Sequence, residues 1–305
     1  MVDRSRTLRI TTHVLLVLGV LVIGFPIYYA FVAATLPLEL ATRVPMPLVP
    51  GDHLMDNVEQ AWRRGDLGLQ LFNSIVMALG ITAGKIAISI ISAFAIVYFR
   101  FPGRMLAFWI IFVTLMLPVE VRIVPTYEMA VNVFTPVNRL LEVLSVPVAI
   151  DPLGYTISMR LQWNILDSYF GLTLPLIASA TATFLFRQFF LTIPDQLAEA
   201  AKIDGAGPLR FFWDVLLPMS RTNIAALAVI LFVYGWNQYL WPLLITTDRE
   251  MMTAVIGITR LMPSPDDAPE WNVAMAGALI VLIPPVIVVV LLQRWFVKGL
   301  VEEEK

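Results

Sequence analysis

The chain has 305 residues, 58% hydrophobic and 14% charged, with a net charge of −2. Soluble domains carry about a quarter charged residues, so this apolar excess calls for lipid, and with this charge balance no basic surface argues for nucleic acid. The absence of cysteine excludes disulfides, thiolate metal sites and cysteine nucleophiles, and two histidines far apart in sequence, His13 and His53, offer little to a metal site or a hydrolytic triad.

An apolar run of roughly 20 residues crosses a bilayer core as a helix. The first such run, 10–38, carries His13 as its one ionisable group. It is too long for a signal peptide, and no small-residue cleavage site follows it. The second, 67–99, contains only Lys85. A charge at that depth is costly and marks a function by default. Lys85 is read either as a cation on a pathway for an anion or as a structural side chain beside a helix packed on Gly80 and Gly84. The third, 105–119, is uncharged and is followed by Glu120 and Arg122, two apart after Pro118. Residues two apart point in different directions on a helix, and this pair is read either as a candidate gate or outer docking contact or as structural pairing where the span breaks.

The fourth run, 168–186, ends at Arg187. The fifth, 222–247, encloses Asn237 and Gln238 among Trp236, Tyr239 and Trp241. Amides beside rings suit a polyol, and amides also bond between helices. The sixth, 272–293, holds Pro284-Pro285, a site for a kink. The expected spans lie near 11–35, 71–98, 105–128, 168–191, 222–246 and 272–296. They are expected to be helices, because unpaired backbone in lipid costs several kcal/mol per group. No segments of about ten alternating residues suggest a β-barrel.

Arg4, Arg6 and Arg9, then Arg100 and Arg104, then Arg187, Lys202, Arg210 and Arg221, and finally Arg294 and Lys298 flank alternate ends of these spans. The positive-inside rule puts them, and both termini, on the cytoplasmic side. The other connections are rich in acids, among them Asp52, Asp56, Glu59, Asp66, Asp151, Asp167, Asp248 and Glu250.

The connection 192–218 carries the most specific pattern. Thr192 and Pro194 suit a helix start, with Asp195 in the first turn. Residues 196–203 favour helix, Gly205 and Gly207 stop it, and Pro208 opens a second short helix with Phe211 and Phe212 on one side. The spacing is Glu199-Ala200-Ala201, three residues, Gly205, nine residues, then Val215-Leu216-Leu217-Pro218.

This spacing resembles the signature loop of permease subunits of binding-protein-dependent ABC importers, with Val215 in place of the commoner Ile. The resemblance runs along nearly the whole chain and is to the carbohydrate-type importers. The combination of Met116-Leu117-Pro118-Val119-Glu120-Val121-Arg122 and Trp236-Asn237-Gln238-Tyr239 is similar to their glycerol-3-phosphate branch. It implies an all-α integral membrane fold of six helices, a type I importer-like transmembrane domain filling 1–305, in the cell inner membrane. It implies that 192–218 is a coupling loop in which Glu199, Ala200, Ala201, Asp204, Gly205 and Pro218 meet a separate ATP-binding subunit. Lys85, Trp236, Asn237, Gln238 and Tyr239 become candidate substrate-pathway residues. The implied partners are a second permease, two ATP-binding subunits and an outer substrate-binding protein. No Walker A loop is present, so ATP and Mg²⁺ belong to the partner ATPase, and no cofactor, catalytic residue or metal is expected here.

The outer segment 133–166 is longer than the family leads one to expect. Val137, Leu140, Leu141 and Leu144 in it fall at helical spacing, which suits a short amphipathic surface helix. Two rival functions remain at this point. A permease for another carbohydrate, such as a disaccharide, would share the loop. A secondary transporter would need ionisable relays in several spans.

Overall fold

The structure is a computed structural model and describes residues 6–113, 119–143, 149–150, 156–157, 161–262 and 270–301. In chain order the helices are α1 (Arg6–Thr35), α2 (Leu38–Ala41), α3 (Leu54–Gly65), α4 (Leu67–Tyr98), α5 (Arg104–Val113), α6 (Val119–Val131) and α7 (Thr135–Val143). Two-residue strands follow, β1 (Ala149–Ile150) antiparallel to β2 (Thr156–Ile157). Then come α8 (Tyr169–Thr173) with a 3₁₀ turn (Leu174–Leu176), α9 (Ala180–Thr192), α10 (Asp195–Ile203) and α11 (Pro208–Phe211). A π turn (Phe212–Leu216) leads into α12 (Leu217–Met219), α13 (Arg221–Trp236), α14 (Leu240–Ile245), α15 (Ala254–Leu261) and α16 (Trp271–Val301).

Among the described residues three helices, Leu8–Thr35, Leu67–Tyr98 and Trp271–Gln293, are long and apolar enough to cross a membrane. α1 has no protein cover along its apolar window, so its Leu, Val and Ile side chains need lipid. The fourth expected span is not straight: α8 with its 3₁₀ turn meets α9 at a 51° bend. Pro175 takes an N–H out of this stretch, and Ser179 caps α9 by accepting from the Ala182 amide at 3.2 Å. The fifth is also divided. α11–α12 meets α13 at 70°, and α13 stops at Trp236 before α14 restarts at Leu240. Pro242 cannot donate to the Gln238 carbonyl and crowds it. α16 continues as one helix through Pro284 and Pro285. In the third region α5 and α6 are described, while 114–118 lies outside the described residues.

The chain forms two compact units. The first, 1–71 with 254–284, packs Val32, Ala33, Leu36, Ala41 and Met46 with Met275. Asn57 organises its polar centre. Its Nδ2 donates to the Ala34 and Leu36 carbonyls at 2.8 and 2.9 Å, and its Oδ1 accepts from Asn272 Nδ2 at 2.8 Å. These carbonyls lie at the C-terminal end of α1, where intrahelical donors run out.

The described residues of the second unit, 72–253 with 285–305, include two apolar clusters. One surrounds Phe94, Phe186, Phe190, Phe211, Phe212 and Leu216. The other joins Met77, Ile81, Leu172, Trp241 and Ile245. α4 approaches the 173–177 segment closely because Gly80 and Gly84 face it. A Cβ at Gly80 would sit 2.9 Å from Thr173 Cγ2, and one at Gly84 2.5 Å from Ile177 Cγ2. Small residues let membrane helices approach in this way.

Candidate functional site

The segment 192–218 forms a helical hairpin anchored on the aromatic core of the second unit. Thr192 ends α9 rather than starting α10: its hydroxyl donates to the Phe189 carbonyl at 2.7 Å. α10 starts after Pro194, with Asp195 in its first turn and Lys202 in its last, both matched to the helix dipole. Its C-terminus closes in a Schellman motif. The Ala206 amide donates to Ala201 O at 2.8 Å, and the Gly205 amide donates to Lys202 O at 3.1 Å. Gly205 has φ +73°, and nothing lies within 4 Å of a Cβ built there. Backbone conformation, not space, therefore demands glycine.

Glu199, Ala200, Asp204 and Gly205 are exposed, Ala201 is half-buried and Pro218 lies partly covered in α12. Ala198 and Ala201 pack on the core while Ile203, 86% exposed, and Leu209, 72% exposed, point away. Phe211 and Phe212 turn inward, with ring centroids 5.3 Å from Tyr98 and 5.0 Å from Phe94. The core takes both rings, and Leu209 and Trp213 are exposed apolar side chains of the same stretch. The π turn admits one extra residue per turn. Ser220, donating to Leu216 O at 2.6 Å, closes it before α13. The hairpin thus presents the carboxylates of Glu199 and Asp204, small residues and the bare aliphatic side chains of Ile203 and Leu209 on a support held by aromatic packing.

The other candidates are dispersed. Lys85 is 7% exposed, with Nζ 3.8 Å from the Tyr234 ring centroid, a cation–π contact. It has no carboxylate partner among the described residues. The charge acting on it through space is another cation, Arg122. Arg122 is exposed on α6 and lines a cavity of about 420 Å³ with Pro125, Thr126, Met129, Leu174 and Pro175. Glu120 belongs to α6, and its side chain lies outside the described residues. Trp236 is 2% exposed and stacks on Phe232 at 5.9 Å, away from the exposed Asn237 and Tyr239. Gln238 Nε2 donates to Tyr234 O at 3.1 Å. Trp241 is buried and bonds backbone. Trp236 and Trp241 therefore offer the amides no stacking face, while Tyr239 is exposed beside Gln238.

Sequence reasoning missed two anchors. Asn73, fully buried, donates to Glu250 O at 2.7 Å and Met252 O at 2.9 Å, and accepts from the Tyr169 hydroxyl at 2.7 Å. Its signal was an amide, one of two with Gln70, within the apolar run 67–99. Asp167 has φ +49° and accepts from the Thr247 amide and hydroxyl, both at 2.6 Å, and from the Asp248 amide at 2.8 Å. Its partial burial raises the carboxyl, and these donors outweigh it, holding Asp167 below its ordinary 3.8. α7 contains Val137, Leu140 and Leu141 as expected for the outer segment, and Leu144 lies outside the described residues. Asn132 and Asn138 tie it down through the Leu161 carbonyl at 3.1 and 2.8 Å.

The family of binding-protein-dependent transport system inner membrane components matches residues 85–302. The chain is 54% identical to the sn-glycerol-3-phosphate transport system permease protein UgpE of Yersinia enterocolitica, over 100% of both chains. It is 53% identical to UgpE of Agrobacterium fabrum and 51% identical to UgpE of Brucella melitensis, again over the full length of each. In fold it is similar to a chain from the crystal structure of a bacterial ABC transporter involved in import of the acidic polysaccharide alginate. That likeness has a TM-score of 0.74 at 20% identity and covers 97% of this chain and 100% of the other.

Proposed function

Because the chain belongs to the family of binding-protein-dependent transport system inner membrane components, we propose that it is the permease subunit of an ABC importer that carries sn-glycerol-3-phosphate across the inner membrane. Relatives at 51–54% identity over their full length carry that substrate in their names. The observation that carries the mechanism is the hairpin 195–211, whose Gly205 turn and exposed Glu199, Ala200 and Ile203 meet no partner surface among the described residues.

The hairpin docks on a separate ATP-binding subunit. Ala200 and Ala201 permit close approach, Glu199 meets a donor on the partner, and the Schellman turn keeps α10 rigid against the second short helix. Closure of two ATP-binding subunits then displaces the hairpin, and the aromatic core around Phe94, Phe186 and Phe212 passes the displacement to α4, α9 and α13. A second permease completes the pathway, and an outer binding protein delivers the cargo. The three long helices and the two bent pairs make five crossings, and α5 with α6 is read as the sixth, which leaves both termini cytoplasmic. The chain is not an enzyme: ATP and Mg²⁺ sit on the partner.

Reconstitution of the full importer in vesicles tests this. Labelled sn-glycerol-3-phosphate should enter in an ATP-dependent way and stimulate hydrolysis, with maltose inert. Stimulation by maltose alone would overturn the substrate. Failure of crosslinks through 196–207 to capture an ATP-binding subunit would overturn the coupling role.

A further inference from the structure

Lys85 and Arg122 are two cations without a carboxylate among the described residues, and both lie beside the break in the fourth span. The break runs through 177–179, between the 3₁₀ turn and α9. Three contacts place Lys85 against it. Its chain neighbour Gly84 packs on Ile177. Ser89, one turn along on the same face of α4, donates to the Ser179 carbonyl at 3.3 Å. Tyr234 closes the third side with its ring. Arg122 approaches from α6, and its cavity shares the wall Leu174–Pro175 that leads into the break. Ile123, next to Arg122, packs on the core that holds Ile81, one turn before Lys85 on α4.

This neighbourhood is short of negative charge. Two like charges in each other's field repel, and a membrane interior screens them poorly. The aromatic face offsets part of the cost for Lys85 but supplies no net charge. α9 adds the positive end of its dipole at the same break, with Ser179 as its cap. Discontinuous membrane helices present such ends to anionic cargo groups. A phosphomonoester carries about −1.5 to −2 charge near pH 7 and three acceptor oxygens, which matches two cations and a helix end.

We propose that Lys85, Arg122 and the start of α9 form an anion station that receives the cargo phosphate as it passes the break in the fourth span. This rests on the glycerol-3-phosphate reading and adds where the phosphate is held. In the empty state Lys85 rests on Tyr234, and the arriving phosphate draws its ammonium off the ring. Holding by two charges on a path, rather than by an enclosed pocket, lets the cargo leave again.

The test uses the complete importer, reconstituted in vesicles, with Lys85→Met, Arg122→Gln and the charge-keeping Arg122→Lys. Complex assembly is followed by co-purification of all subunits. At about pH 7.5 the two neutral variants should take up sn-glycerol-3-phosphate about tenfold more slowly than wild type. At about pH 5.5, below the second phosphate ionisation near 6, that deficit relative to wild type should shrink. Arg122→Lys should stay within about twofold, since the charge is kept. Unchanged uptake in both neutral variants, or an equal deficit at both pH values, would overturn the station. Loss of assembly in Arg122→Gln would also overturn it, because the cations would then serve a carboxylate of the companion subunit. Wild-type vesicles that ignore sn-glycerol-3-phosphate but import a neutral sugar would refute the substrate reading itself, a result visible before any variant is made.

Discussion

Trp241 Nε1 donates a 3.0 Å hydrogen bond to the carbonyl of Gly171, tying α14 to α8 inside the second unit. Trp241 is 3% exposed, and Gly171 has no room for a side chain: a Cβ there would collide with the Ile165 carbonyl oxygen and press on Ile245. Trp241→Phe keeps most of the ring packing but strands one buried carbonyl, so it should cost about 1–2 kcal/mol. Gly171→Ala should cost more, about 3 kcal/mol, because backbone must move. Thermal unfolding of the detergent-purified chain checks the order. An alanine variant as stable as wild type would contradict the close packing.

Asn73 secures the turn 250–252 from within α4. Asn73→Leu leaves two carbonyls and the Tyr169 hydroxyl unpaired and should cost about 4 kcal/mol, whereas Tyr169→Phe removes one bond and should cost about 1 kcal/mol. Proteolysis between α14 and α15 should accelerate in the first variant and stay slow in the second.

Asp167 makes the connection before α8 sensitive to acid. Its carboxyl is held below the ordinary 3.8 in the folded chain, so its stabilisation is present above that value and is lost as pH falls through the lower folded value. Asp167→Ala removes all three accepted bonds and places alanine at φ +49°, while Asp167→Asn tolerates that backbone. Melting temperature should fall for alanine at neutral pH, and the gap to wild type should narrow below about pH 4. A gap constant down to the lowest pH would show that the carboxylate is not the source.

The hairpin should be separable from membrane insertion. Gly205→Pro cannot adopt φ +73°, and Glu199→Lys reverses the charge offered to the partner. Both should leave the amount of chain in the membrane fraction unchanged while ATP-driven uptake falls at least about tenfold. Gly205→Asn, which visits the left-handed region at modest cost, should keep more uptake than Gly205→Pro. Full uptake in both disruptive variants would remove the coupling role.

The membrane character, the long apolar helices and the hairpin at 192–218 were readable because each depends on neighbours in sequence. An apolar run needs lipid whatever it packs against, and a glycine four residues after an acidic-small-small triplet closes a helix by local hydrogen bonds. The breaks at 177–179 and 237–239 were hinted at by Pro175 and Pro242, but apolar composition alone hid them. Tertiary packing decided the rest. It sent Phe211, Phe212, Trp236 and Trp241 into buried positions and gave Asn73 and Asp167 their distant carbonyls and amides. It set Lys85 on Tyr234 in the field of Arg122, 37 positions further along the chain. Such pairings join residues far apart in the chain through side chains of no distinctive local pattern, so only the folded packing of the helices selects them.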